Sequence, residues 1–138
     1  MDGTETALRP SAGRPTREQA AARHEQLLDR ALDHFLDKGF EQATIEAIAS
    51  DVGMTKRTVY ARYPDKASLF LAAVSRAIDD YAVTDEAIVA TEADDLEQTL
   101  VNIAMLRIDL VSTPRGLKLQ RIVNTESYRF PEIFTESY

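Results

Sequence analysis

The stretch from Thr44 to Pro64 leaves this chain few folds to choose from. Ile45, Ile48, Ala49 and Val52 recur at helical steps, Gly53 interrupts them, and a second helical segment starts after Thr55 and stops at Pro64. Thr44 and Thr55 are both suited to cap a helix by accepting a hydrogen bond from a first-turn N–H. Glycine permits the left-handed backbone of a tight turn, and the residue before a proline avoids the α region. Two short helices joined by a short, glycine-containing turn form a helix-turn-helix. The small Ala49 faces the close crossing, and Val59 plugs the second helix into the first.

Helical signals continue on both sides. Thr16 and Gln19 form a capping box, and Leu28, Ala31, Leu32, Phe35 and Leu36 make one helical face over about 17–38. Gly39 supplies the stop, with Phe40 folding back on the last turn. Short helices are expected at about 45–51 and from Thr55 to about Tyr63. Asp65 caps a helix over about 66–82 whose face of Leu69, Phe70, Ala73, Val74, Ala77, Ile78 and Tyr81 is wider than a three-helix head requires, so it packs on a second layer as well. Residues 84–93 read as an acidic loop with a frayed turn. Asp94 with Glu97 opens a helix over about 95–111, expected to bury Leu96, Leu100, Ile103, Ala104, Ile108 and Val111. Thr113-Pro114 opens another over about 114–128, with Leu117, Leu119, Ile122 and Val123 inward, and Pro131 restarts one more short helix. No convincing strand is seen. The expected architecture is all-α: a flexible arm at 1–15, a three-helix helix-turn-helix head at 16–64, and a partial helical regulatory domain at 65–138.

Composition excludes several chemistries. With no cysteine among 138 residues, disulfides, thiolate metal sites and a Cys nucleophile are ruled out. His24 and His34 stand ten apart in one helical stretch and make neither a metal cluster nor a hydrolytic triad. The acid pairs Asp79/Asp80 and Asp94/Asp95 are adjacent, so they point to different sides rather than forming a dyad. We expect neither an enzyme nor a bound cofactor or metal. No apolar run approaches a membrane span and the N-terminus lacks a secretory core, so the cytoplasm is the expected compartment and no membrane partner is expected.

A net charge of −7 argues, taken whole, against a polyanionic partner. The charge is uneven. Residues 71–138 carry 6 basic and 12 acidic side chains, whereas Gly53–Lys66 holds Lys56, Arg57, Arg62 and Lys66 against Asp65 alone. A phosphate responds to that local potential. With Val59 turned to the core, Arg57 and Ala61 fall about 160° away on either side, flanked by Thr58 and Tyr60. Arginine pairs bidentately with guanine and threonine meets a base edge or a thymine methyl; Tyr60 reaches a phosphate or sugar, and Ala61 leaves room at the groove floor. Arg9, Arg14 and Arg17 could add phosphate contacts from the arm, although a solvated tail is the favoured reading of them.

The stretch Ile45-Glu46-Ala47-Ile48-Ala49, then Val52 through Tyr60, and on to Tyr63-Pro64-Asp65-Lys66 resembles the DNA-binding head of the TetR family of transcriptional repressors. Residues Ala31–Phe40 resemble the end of that family's first helix, and the likeness covers about 21–81 with the motif at 44–63. The resemblance implies a dimer on a palindromic double-stranded DNA operator, released by a small ligand in the C-terminal domain. It implies operator contacts at Thr44, Lys56, Arg57, Thr58, Tyr60 and Lys66, with Thr44, Tyr60 and Lys66 on phosphates and Arg57 and Thr58 on bases. Thr55, as cap, and Arg62 complete the candidate set. Arg62 stands where the family commonly has Tyr or His, and Ala61 where it often has a bulky aromatic or basic residue, so operator sequence cannot be borrowed from relatives.

The segment from Arg121 to Phe134 resembles a C-terminal pattern of some family members, including repressors of efflux genes, which usually continue into the helices of the dimer interface. Without those helices, the later helices are expected to show apolar area needing a partner. A small hydrophobic ligand would meet Phe70, Tyr81, Met105 and Tyr128, for each of which plain core packing is the competing reading. The principal expectation is a ligand-responsive repressor acting as a homodimer. The alternative is a truncated helical interaction protein that forms inactive mixed dimers with full-length relatives.

Overall fold

The computed structural model describes residues 16–82 and 84–135. The expected arm, with Arg9 and Arg14, lies outside them. The described residues form eight helices and no strand: α1 (Arg17–Gln42), α2 (Ile45–Asp51), α3 (Lys56–Arg62), α4 (Lys66–Asp80), α5 (Asp85–Ala90), α6 (Leu96–Val111), α7 (Pro114–Glu126) and α8 (Glu132–Thr135).

Caps set the boundaries. The Thr16 hydroxyl accepts from the Gln19 N–H at 3.1 Å while the Gln19 side chain accepts from the Thr16 N–H at 2.8 Å, closing the capping box. Gly39 breaks the regular helix at φ 79°, and a further turn carries α1 to Gln42. That reversal returns Phe40 to the core, where its ring meets Phe70 at 5.2 Å and Phe130 at 4.9 Å. Phe35 and Phe70 meet edge to face at 5.0 Å, a favoured aromatic geometry. This cluster joins α1, α4 and the segment before α8.

α4 is the shared wall. Leu69, Phe70, Ala73, Val74 and Ala77 are buried, and α4 packs against α1, α7 and α8, so its wide apolar face serves the head and a second layer together. Across α1 and the later helices run three ion pairs: Asp33 with Arg115 at 3.0 Å, Asp37 with Lys118 at 3.0 Å, and Glu41 with Arg129. Asp33 and Asp37 sit one turn apart on one face of α1, and Glu41 lies beyond the Gly39 break. These exposed pairs fix orientation more than they add stability.

Three expectations are corrected. Residues 84–93 are not a loop: Thr84 accepts from the Ala87 N–H at 3.1 Å and caps α5, a start signal hidden by the segment's weak apolar pattern. α6 buries nothing: Leu96, Leu100 and Ile108 are exposed, as is Ala104, while Ile103 and Val111 are half-buried. Its principal packing partner is α7, so its apolar stripe finds no second layer among the described residues. Leu117 is exposed as well, whereas Leu119 and Ile122 are buried and Val123 packs beside them.

Candidate nucleic-acid interface

The site grows from two caps and one glycine. Thr44 accepts from the Ala47 N–H at 3.1 Å and starts α2, which buries Ile45, Ile48 and Ala49. Val52 follows inward, and Gly53 at φ 70° turns the chain. The Met54 N–H then bonds the Ala49 carbonyl at 2.9 Å. Thr55 starts α3, accepting from the Thr58 N–H at 3.1 Å with its hydroxyl 2.8 Å from that of Thr58. Of the seven residues of α3 only Val59 is buried, at 0% exposure. Lys56, Arg57, Thr58, Tyr60, Ala61 and Arg62 are all exposed.

The predicted outer face is therefore brought together on one side of one helix. Its cations are held differently. Lys56 Nζ bonds Glu46 Oε1 of α2 at 2.9 Å, which holds the ammonium above its ordinary pKa and the Glu46 carboxyl below its own, in both cases first through that hydrogen bond. Arg57 and Arg62 have no hydrogen-bond or ion-pair partner among the described residues. Lys66, at the start of α4, donates to the Glu41 carbonyl at 3.0 Å and lies 4.6 Å over the Phe40 ring, with two further N–H groups left to donate. Thr44 is exposed, its hydroxyl proton free of the cap. Arg17, the first residue of α1, is also exposed.

Contacts that sequence reading did not foresee hold α2 and α3 on α1. Asp51 accepts from Arg30 at 3.0 and 2.7 Å and sits 2.8 Å from His34 Nε2. The hydrogen bonds from His34 and then Arg30 hold its carboxyl below the usual carboxylate range. This network ties the last turn of α2 to α1. Tyr63, the cap after α3, meets His24 of α1. The only sequence signal for either contact was charge or polarity on helix faces that must cross.

The four candidate ligand residues do not converge. Phe70 is fully buried in the aromatic cluster, Met105 is 52% exposed and Tyr128 is 97% exposed. Tyr81 alone lines a cleft, of about 350 Å³, floored by Leu28, Leu32, Ala73 and Ala77 and rimmed by Arg76 and Arg115. No cluster of three or more metal-binding side chains occurs among the described residues, and no helix there is long and apolar enough to cross a membrane.

An exposed cationic helix seated by one valine on a capped, glycine-turned partner defines a helix-turn-helix head. A family model described as "Bacterial regulatory proteins, tetR family" matches residues 27–73. An uncharacterized HTH-type transcriptional regulator of Mycobacterium tuberculosis is 36% identical over 80 residues, covering 58% of this chain and 38% of that protein. The HTH-type transcriptional repressor BepR of Brucella suis and activator FasR of Mycolicibacterium smegmatis are each 34% identical, over 64 and 74 residues. These cover 46% and 52% of this chain and 31% and 34% of theirs. A crystal structure assigned to the TetR-family regulators, from Mesorhizobium loti, superposes with a TM-score of 0.72 at 26% identity, covering 88% of this chain and 60% of that one. Residues 27–73 thus match the helix-turn-helix head of the TetR family, and the relatives that share this segment are transcriptional regulators. It spans about 38% of the length of the first curated relatives it matches.

Proposed function

We propose that this protein is a sequence-specific DNA-binding repressor that acts in the cytoplasm as a homodimer on a palindromic operator. The observation that carries the reading is the outer face of α3: Arg57, Thr58, Tyr60 and Ala61 exposed around a Val59 that is fully buried. A helix so mounted suits the major groove, where Arg57 and Thr58 read base edges. Thr44, Lys56, Tyr60, Arg62 and Lys66 hold phosphates, and the Thr55 cap aims the helix end at the backbone. In a dimer the body sets the two heads about one DNA turn apart, roughly 34–36 Å. A small hydrophobic ligand that favours another spacing releases the operator by its differential affinity for the two states.

The test is selection of bound sequences from random duplexes by this chain. A palindrome among the enriched duplexes supports reading and dimerisation together, and enrichment of nothing overturns the proposal. The exposed apolar face of α6, with Leu96, Leu100, Met105 and Ile108, supports a second reading, a helical interaction protein that pairs with full-length relatives. Light scattering separates the two: a monomer without affinity for any enriched duplex favours the second.

A further inference from the structure

A helix of seven residues does not persist alone, so the direction of α3 is set by what grips its ends. The entry is gripped by the Gly53 turn and the Thr55 cap. The exit is gripped by a side-chain contact. Tyr63 donates its N–H to the Val59 carbonyl at 2.9 Å, and the next residue, Pro64, has no N–H to continue the helix. The Tyr63 ring stacks on the His24 ring with centroids 5.8 Å apart and 9° between planes. Its hydroxyl lies 2.5 Å from His24 Nε2. The two residues are 39 apart in sequence, so the contact joins an early turn of α1 directly to the end of α3. Both side chains are half-buried.

The charges around His24 favour the neutral ring. Burial is the largest cause that lowers its pKa, followed by the cations of Arg62 on α3 and Arg76 on α4, with Glu25 on α1 opposing them. A neutral ring lets Nε2 accept from the Tyr63 O–H.

We propose that His24 and Tyr63 are a positioning pair that clamps the exit of α3 to α1 and so sets the angle at which Arg57 and Thr58 are presented. The inference rests on the DNA-binding reading above and deepens it. Both are half-buried and stand apart from the exposed outer face of α3, through which each acts. A guanidinium reaching roughly 10 Å from the pivot moves by more than about 1 Å for a tilt near 10°, beyond what a hydrogen bond tolerates. Base reading is thus more sensitive to the clamp than phosphate contact is, because a phosphate responds to charge over a longer range.

Tyr63→Phe keeps the stacked ring and deletes the hydroxyl, His24→Ala deletes both interactions, and His24→Gln keeps a hydrogen-bonding group near the Nε2 position. Binding is measured to a duplex enriched from a random pool by the unsubstituted chain, and to a scrambled duplex of the same composition. Tyr63→Phe and His24→Ala are expected to weaken binding to the enriched duplex by roughly three- to tenfold, the worth of one net hydrogen bond. Affinity for the scrambled duplex and the salt slope stay unchanged, and His24→Gln recovers part of the loss. A merely structural role would depress both affinities together through the folded fraction. Unchanged discrimination in Tyr63→Phe overturns the clamp. Should the unsubstituted chain enrich nothing, the DNA reading fails, and hydrogen exchange judges the clamp instead. Faster exchange at Val59–Tyr63 in His24→Ala, with α4 unaltered, then supports it, and equal exchange overturns it.

Discussion

Val59→Ala is the perturbation that most sharply separates what holds α3 from what α3 presents. Val59 is the one buried side chain of that helix and is fully enclosed. Removing its two methyl carbons forfeits about 1.5 kcal/mol of transfer free energy at ~0.8 kcal/mol per carbon. An unrelaxed void of some 25–50 Å³ adds about 1 kcal/mol at ~24 cal/mol per Å³. The expected loss is about 2–3 kcal/mol, a large share of the ~5–15 kcal/mol available to a small domain. Urea unfolding followed by far-UV circular dichroism reads it as a lower midpoint at unchanged slope. Arg57→Ala, two residues away on the exposed face, should fall within about 0.5 kcal/mol of the unsubstituted chain. A loss under about 1 kcal/mol for Val59→Ala, or equal losses for both, would refute the reasoning that one valine seats the helix.

Other expectations follow from the same geometry. Phe70→Ala, in the aromatic cluster, should cost about 3–5 kcal/mol by urea unfolding, whereas a tolerant site would mean that Phe70 borders open space. Gly53→Ala should cost about 1–2 kcal/mol through backbone strain at φ 70°, because a Cβ there meets nothing within 4 Å; a neutral result would show that the turn can relax. The folded-state pKa of His24 lies below its ordinary value of 6.5, so below that pH the unfolded chain takes up protons first and stability falls. Thermal unfolding between about pH 6.5 and 5.5 should therefore show a steeper decline in the unsubstituted chain than in His24→Gln, and parallel declines would remove His24 from the pH response.

The head was legible in the sequence because its signals are local. Thr44, Gly53, Thr55 and Pro64 declare boundaries that depend on backbone chemistry within a few residues, and the structure places α2 and α3 between them. The outward face of α3 followed from helical periodicity once Val59 was taken as the plug. Periodicity failed for α6, whose apolar stripe announces a helix face but not whether anything covers it. Leu96 at 73% exposure and Leu100 at 56% record that difference. The clamp of Tyr63 on His24 and the bonds of Arg30 and His34 to Asp51 were invisible for another reason. They join residues 17 to 39 apart, so they depend on crossing angles that no single helix encodes. Phe70, Tyr81, Met105 and Tyr128 illustrate the same limit: size and polarity suggested a pocket wall, yet packing sent one to the core and two to the surface.

The central claim is that the exposed Arg57 guanidinium reads base edges. Its most direct test compares Arg57→Ala with the unsubstituted chain on an enriched duplex and on its single-base variants, across a range of salt. The account predicts a loss of about 1–3 kcal/mol on the enriched duplex and relaxed preference at one base position per half-site. By contrast, Lys66→Ala should weaken all duplexes alike and flatten the salt slope by about one. An Arg57→Ala profile identical to the original at every base position would contradict it.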